Sequence, residues 1–227
     1  MTAAAPQTRA GFSETCLLAS VGGSVDAIGV ITLGGLFVSH MSGNTAAQGV
    51  FFGQGQWWLA WPHLAAVPIF LLGLFLGYLL MERAPTPRQC TGVLVLEAGL
   101  LFVFFILLLL GADYRVANPW TFLTAVPPLI AMGIQNATLR GLKLSAFPST
   151  YVTGVLDTVG RTFAKAIAGK AEERAENALM ARRAAMVWTS YALGAIAGSA
   201  IFFGIGKWVV LFPITSLLAV AWSVARR

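Results

Sequence analysis

The sequence predicts an all-α transmembrane protein, a six-helix bundle built from two inverted three-helix repeats with short re-entrant or interfacial helices. Three observations predict it. The chain is 57% AVILMFWYC and only 11% charged, whereas a soluble domain carries about 25% charged residues. One polar, glycine-rich signature occurs twice. The cationic residues fall into alternate segments, as they do when a chain crosses a bilayer repeatedly.

About 20 consecutive apolar residues cross a bilayer as a helix. Residues 27–81 contain no Asp, Glu, Lys or Arg, and further uncharged runs cover 98–112, 116–139, 184–206 and 208–225. Six spans follow, roughly 14–37, 58–81, 91–112, 120–140, 184–203 and 207–225. With the N-terminus inside, the cytoplasmic segments hold Arg9; Arg83 and Arg88; Arg140, Lys143, Arg161, Lys165, Lys170, Arg174, Arg182 and Arg183; and Arg226 and Arg227. Of the 15 cationic residues only Arg115 and Lys207 fall outside. This bias places both termini in the cytoplasm.

The repeat begins at residues 22–49 and returns at 132–160. At an offset of 110, Gly23 falls on Gly133, Asp26 on Asn136, Ala27 on Ala137 and Phe37 on Phe147. After one inserted residue, Ser42-Gly43 falls on Thr153-Gly154 and Gly49 on Gly160. Each copy leads into a glycine-spaced helix, Gly73-x-x-x-Gly77 and Gly194-x-x-x-Gly198, at an offset of 121. Span one leaves the cytoplasm and span four enters it, so three spans per half make the copies antiparallel. The chain is read as one membrane domain over 1–227, with a first repeat at 14–112 and a second at 120–225. Residues 161–183, alanine-rich and charged with both signs, form a cytoplasmic helix or linker that lengthens the second half. Segments 38–56 and 148–164 each open on a hydroxyl–Gly pair. They are read as short helices on opposite membrane faces.

Asp26 lies inside span one, where a charge costs roughly 2.5–3.5 kcal/mol on insertion scales. It should therefore face the protein interior or water, either binding a proton, cation or polar solute, or only fixing the packing. Gly133, Gln135 and Asn136 occupy the matching place in the second half. Ser42-Gly43-Asn44-Thr45 and Thr153-Gly154 read as helix starts. Hydroxyl and amide side chains cap free N–H groups there, and the positive end of the helix dipole suits an anion or a carbonyl oxygen. Plain capping without a ligand is the competing reading. Glu14, His63 and Glu97 are weaker candidates, because nothing in the other half repeats them. His40 beside Ser42 is poor evidence for hydrolysis, and the two histidines are poor evidence for a metal. Cys16 and Cys90 stand too far apart in sequence to argue for a disulfide framework or a metal site. No cleavable signal peptide is expected, since residues 1–12 are polar and Gly22, Gly23 and Asp26 interrupt the first apolar stretch.

The string Gly23-Ser24-Val25-Asp26-Ala27, then Gly34-Gly35-x-Phe37-Val38-Ser39 and Ser42-Gly43-Asn44, resembles the YoaK family of bacterial inner-membrane proteins. So does Gly133-x-Gln135-Asn136-Ala137 with Tyr151-Val152-Thr153-Gly154. Ser42 stands where Thr is more usual, which keeps the hydroxyl. The resemblance implies a multi-span protein of the bacterial plasma (inner) membrane and names no substrate.

The reading that follows is a small secondary transporter or channel for a small polar or anionic solute. The solute would be bound by Asp26, Ser42, Gly43, Asn44, Gln135, Asn136, Thr153 and Gly154. The alternative is a non-transporting membrane scaffold or subunit; an enzyme ranks third, since no convergent nucleophile, base or metal ligands are found. No cofactor, no metal and no nucleic acid are expected, because the net charge of +6 is explained by topology. The expected partners are the lipid bilayer, the solute and a second copy of the chain, docked through the Gly73/Gly77 and Gly194/Gly198 faces. A transporter should hold a solvated midplane pocket at the binding residues. A scaffold should be filled there with apolar side chains.

Overall fold

The computed structural model describes residues 9–82, 86–111, 118–141 and 152–226. Phe147 and Tyr151 of the second signature lie outside the described residues, as do Arg83, Arg115, Lys143 and Arg227 and the side chains of Arg9 and Arg140. The described residues form eight α-helices, α1 (Arg9–Thr32), α2 (Met41–Gly53), α3 (Trp57–Met81), α4 (Pro87–Leu110), α5 (Pro119–Gly141), α6 (Val152–Ala168), α7 (Ala171–Ile205) and α8 (Leu211–Ala225). A 3-10 turn, Gly206–Val210, joins the last two.

Among the described residues, four stretches are long and apolar enough to cross a membrane, Gly11–Thr32, Trp57–Met81, Pro87–Leu110 and Ala171–Ala225. The last holds both α7 and α8. Helix α5 is as long as the others, but Thr121, Thr124, Gln135, Asn136 and Thr138 dilute its apolarity. All five are buried, so α5 turns its polar residues inward. Leu71, Phe75, Leu79, Leu110 and Phe203 point outward from the other helices, where a bilayer accepts apolar side chains at no cost.

The helix ends have local causes. Helix α1 stops at Thr32, earlier than the expected end at 37, because Gly34 and Gly35 take φ of 65° and 92°. L-residues with a Cβ avoid that region. Thr86 and Gln89 form a capping box in front of α4, with Pro87 at its first position, which fixes the entry of the chain. Gly206, at φ 63°, ends α7. The charged segment 161–183 is no separate element: it covers the end of α6 and the first turns of α7. At 35 residues, α7 is about 52 Å long, well beyond a hydrocarbon core of about 30 Å.

Helix α1 runs against α7, and α3 against α5. Helix α2 packs on α3 and α6 on α7, while α4 pairs with α8 and also touches α5. Glycines set how close these pairs come. A Cβ at Gly73 would overlap the backbone of Ile130, and one at Gly77 would stand 2.7 Å from Ala137 Cβ. A Cβ at Gly194 would overlap Ser20, and one at Gly198 would meet Ser24. Both glycine faces are therefore covered within one chain. The expectation that they dock a second copy is corrected: the space each opens is already filled by a helix of the same molecule. The core between the pairs is apolar, centred on Leu18, Ile28, Leu94, Phe104, Leu129 and Leu217.

Candidate functional site

Past Gly34 and Gly35 the chain folds back along α1. Gly29 makes room for it, since a Cβ there would stand 3.0 Å from Val38 Cγ1. The returning segment brings the N–H groups of Val38 and Ser39 to Asp26. Both donate to Asp26 Oδ1, at 3.0 and 2.8 Å. The Ser39 hydroxyl donates to Oδ2 over a very short contact. His40 Nδ1 lies 2.7 Å from Oδ2, and the Tyr191 hydroxyl donates to the same oxygen at 2.7 Å. Backbone N–H groups can only donate, so this ring of donors is complementary to a carboxylate.

Tyr191 comes from α7, 165 residues away in the chain. It arrives because Gly23 lets the α7 backbone approach: a Cβ at Gly23 would overlap the Tyr191 carbonyl oxygen. Its ring meets that of His40 edge-on at 5.5 Å between centroids, and its hydroxyl lies 3.2 Å from His40 Nδ1. His40 is the partly open member of the group, its side chain 26% exposed against 5% for Asp26. The bond to Asp26 pushes the His40 pKa up, against a smaller downward push from burial.

Asn44 holds the same returning segment from the other side. Its Oδ1 accepts from Phe37 N at 3.1 Å and its Nδ2 donates to Phe37 O at 2.7 Å. His63 of α3 donates to that Oδ1, with Nδ1 at 3.1 Å. Asn44 is fully buried and His63 nearly so. Non-helical backbone deep in a membrane protein needs such internal partners.

The other expected residues lie elsewhere. Gln135 Nε2 donates to Leu18 O at 2.8 Å, eight residues and about 12 Å along α1 from Asp26. Asn136 is buried on α5. Ser42 and Thr153 are exposed and Gly43 and Gly154 half-buried. Helix α2 starts at Met41, one residue before Ser42, and α6 is described from Val152 onward. In α2, however, the N-cap is His40, with no side-chain cap bond, so Ser42 does not cap. Glu97 is fully buried and accepts from the Thr138 hydroxyl at 2.8 Å, tying α4 to α5. Among the described residues no three His, Cys, Asp or Glu side chains gather to hold a metal. A small cleft of about 10 Å³, roughly the room one water needs, opens between Thr32, Leu108, Gly111, Trp120 and Thr124, away from Asp26.

The sequence reading missed Ser39, His40 and Tyr191 as partners of Asp26. Tyr191 left a signal: it precedes Gly194 by three residues and Gly198 by seven, so it shares their helix face. His40 left a weaker one, as the one ring nitrogen donor beside a turn that must satisfy its backbone.

The chain is 34% identical over 173 residues to the UPF0700 transmembrane protein YoaK of Bacillus subtilis (strain 168), an alignment covering 73% of each protein. No solved structure matches it. A family model described as "Protein of unknown function (DUF1275)" matches residues 15–223, nearly the whole all-helical membrane chain, and the protein belongs to that family.

Proposed function

We infer that this chain is a small secondary transporter or channel for a small polar or anionic solute, built from two inverted three-helix repeats. The Asp26 cluster carries this reading. An ionisable side chain inside an apolar helix is costly and marks a functional place by default. This one joins the turn after α1 to Tyr191 of α7, across the line where the two repeats meet. Transporters of this plan hold their cargo at such a line.

Matched contacts support the repeat. Gly73 abuts Ile130 and Gly194 abuts Ser20; Gly77 abuts Ile134 and Gly198 abuts Ser24; Gly23 abuts Tyr191 and Gly133 abuts Phe70. Each residue in one contact stands 110 or 121 positions from its counterpart in the other. The positive-inside bias favours cytoplasmic termini in the bacterial plasma membrane. Solute would meet the Asp26 side of this line, at Asn44 and the helix start at Ser42-Gly43, since Gln135 bonds Leu18 about two turns along α1 from Asp26.

One observation favours the scaffold reading. Both Asp26 oxygens are already filled by donors of the chain itself, which suits a clasp that only holds the turn. An enzyme is not our reading. Asp26 and His40 stand as the two rear members of an acyl-transfer triad would, but the Ser39 hydroxyl bonds Asp26 instead of His40.

Uptake by purified protein in liposomes, screened across small anions and metabolites, tests the proposal. Accumulation above empty liposomes, lost in Gly43→Val, is the expected result. Thermal stability must be read beside it, because a Cβ at Gly43 would stand 3.1 Å from the Phe37 ring. No uptake of any solute by folded protein would leave the scaffold reading standing.

A further inference from the structure

We propose that His40 is a proton-binding site, its Nε2 the atom that takes the proton, with Asp26 and Tyr191 as the groups that position the ring. Nδ1 is committed: it faces Asp26 Oδ2 at 2.7 Å and the Tyr191 hydroxyl at 3.2 Å. A ring nitrogen facing a carboxylate carries its hydrogen there, which leaves the lone pair of a neutral imidazole on Nε2. Nε2 makes no hydrogen bond among the described residues, and the side chain is 26% exposed. The ring therefore has one inward edge fixed and one outward edge vacant.

The chemistry of the step is simple. Nε2 accepts a proton from water, the Nδ1–H bond to Asp26 stays, and the cluster passes from one negative charge to an internally balanced pair. Asp26 of α1 and Tyr191 of α7 are the titratable groups within hydrogen-bond reach of the ring among the described residues. The Phe37 ring lies tilted, 6.0 Å from that of His40. Asp26 is thus the positioning residue and His40 the one that changes charge. That the proton drives a solute rests on the transporter reading; that it binds here does not.

The test is 15N-imidazole NMR of the full-length protein in lipid nanodiscs. The chain has two histidines, and His63→Gln leaves His40 alone in the spectrum. His40 should titrate at Nε2 between about pH 5 and 9, with Nδ1 protonated throughout. Asp26→Asn should lower the midpoint by about one unit or more, and Tyr191→Phe, which removes a donor from Asp26 and not a charge, should move it by less. If Asp26→Asn does not fold, the wild-type tautomer and the Tyr191→Phe shift still decide. A His40 that does not titrate in this range, a proton that leaves Nδ1 first, or a midpoint indifferent to both substitutions would overturn the proposal. Titration as expected with no solute uptake in liposomes would sink only the transporter reading.

Discussion

Helix α2 docks on α3 and helix α6 docks on α7, yet the two junctions are built from opposite materials. The first is held by Asn44 against His63. Val155 stands 111 residues after Asn44, and Ala184 stands 121 after His63. These two pack together in an apolar cluster with Ala19 and Val187. The contrast repeats next door, where Asp26 has Asn136 as its counterpart and Tyr191 has Phe70. The glycine contacts that bring the helices together are the same on both sides. The glycine contacts therefore match across the two junctions, whereas among the described residues the Asp26–His40–Tyr191 cluster has no like in the second, where Glu97 buried against Thr138 of α5 is the nearby ionisable group. Transport or proton chemistry should be sought at the α1–α2–α7 junction, with the α3–α5–α6 side as its mechanical counterpart.

Removing the charge at the centre of the polar junction should have the largest effect. Asp26→Leu would leave two backbone N–H groups, the Ser39 and Tyr191 hydroxyls and His40 without their acceptor. Stripping one partner from a buried charged pair costs about 3–5 kcal/mol. We expect a sharp loss of extractable folded protein and a lower thermal midpoint in detergent. The change Asn136→Leu, at the counterpart position, should be milder. Equal losses would erase the asymmetry.

The glycines should behave alike on the two sides. Gly73→Ala and Gly194→Ala each push a methyl group into a carbonyl of the facing helix, at about 1–3 kcal/mol for overpacking. Matched falls in thermal midpoint are expected. A large fall in one and none in the other would break the idea of a shared frame.

Exchanging the materials of the two docks should cost about as much. Asn44→Val leaves the Phe37 N–H and C=O without their partner, at about 1–3 kcal/mol for an unsatisfied buried group. Val155→Asn buries an amide in an apolar cluster at a comparable cost. A double-mutant cycle with His63→Ala should show coupling to Asn44 and none to Val155. Additive effects at Asn44 and His63 would mean that their bond does not hold the dock.

Much of this frame is legible in the sequence, and the reason is physical. A bilayer forces long apolar helices, so the uncharged runs find α1, α3, α4 and α8 within a few residues. The Ser42-Gly43 pair finds the start of α2 to within one residue. Asp26 stands out because a charge in such a run is expensive. What it bonds does not stand out. Tyr191 is 165 residues away, and only the three-dimensional fit of Gly23 against α7 brings it near. The same fit explains why Gln135 and Asn136, aligned with Asp26 in sequence, do not meet its carboxylate. Gln135 instead bonds the Leu18 carbonyl, about two turns along α1 from Asp26. The hydroxyl of Ser42 misleads for a local reason: the turn is held from within by Asp26 and Asn44, so the helix needs no serine cap.

The smallest effect expected is a pH dependence confined to the polar side. The Asp26 bond raises the His40 pKa in the folded protein, so the native state holds that proton more tightly than the unfolded chain does. The resulting stability is complete below the unfolded value of about 6.5. It is lost as pH rises through the higher folded value. Charge-assisted bonds contribute about 1.5–3 kcal/mol. His40 is partly solvated, and Asp26 keeps four other donors when the imidazole turns neutral, so about 1 kcal/mol is the expected size. The thermal midpoint should therefore drift down as pH rises above about 6.5 in the wild type. It should stay flat over that range when His40→Gln is made in a His63→Gln background, which holds no histidine. His63→Gln should retain the drift, because His63 bonds a neutral amide. A drift that survives in the double variant would assign it to another group and leave the two sides of the molecule chemically alike at neutral pH.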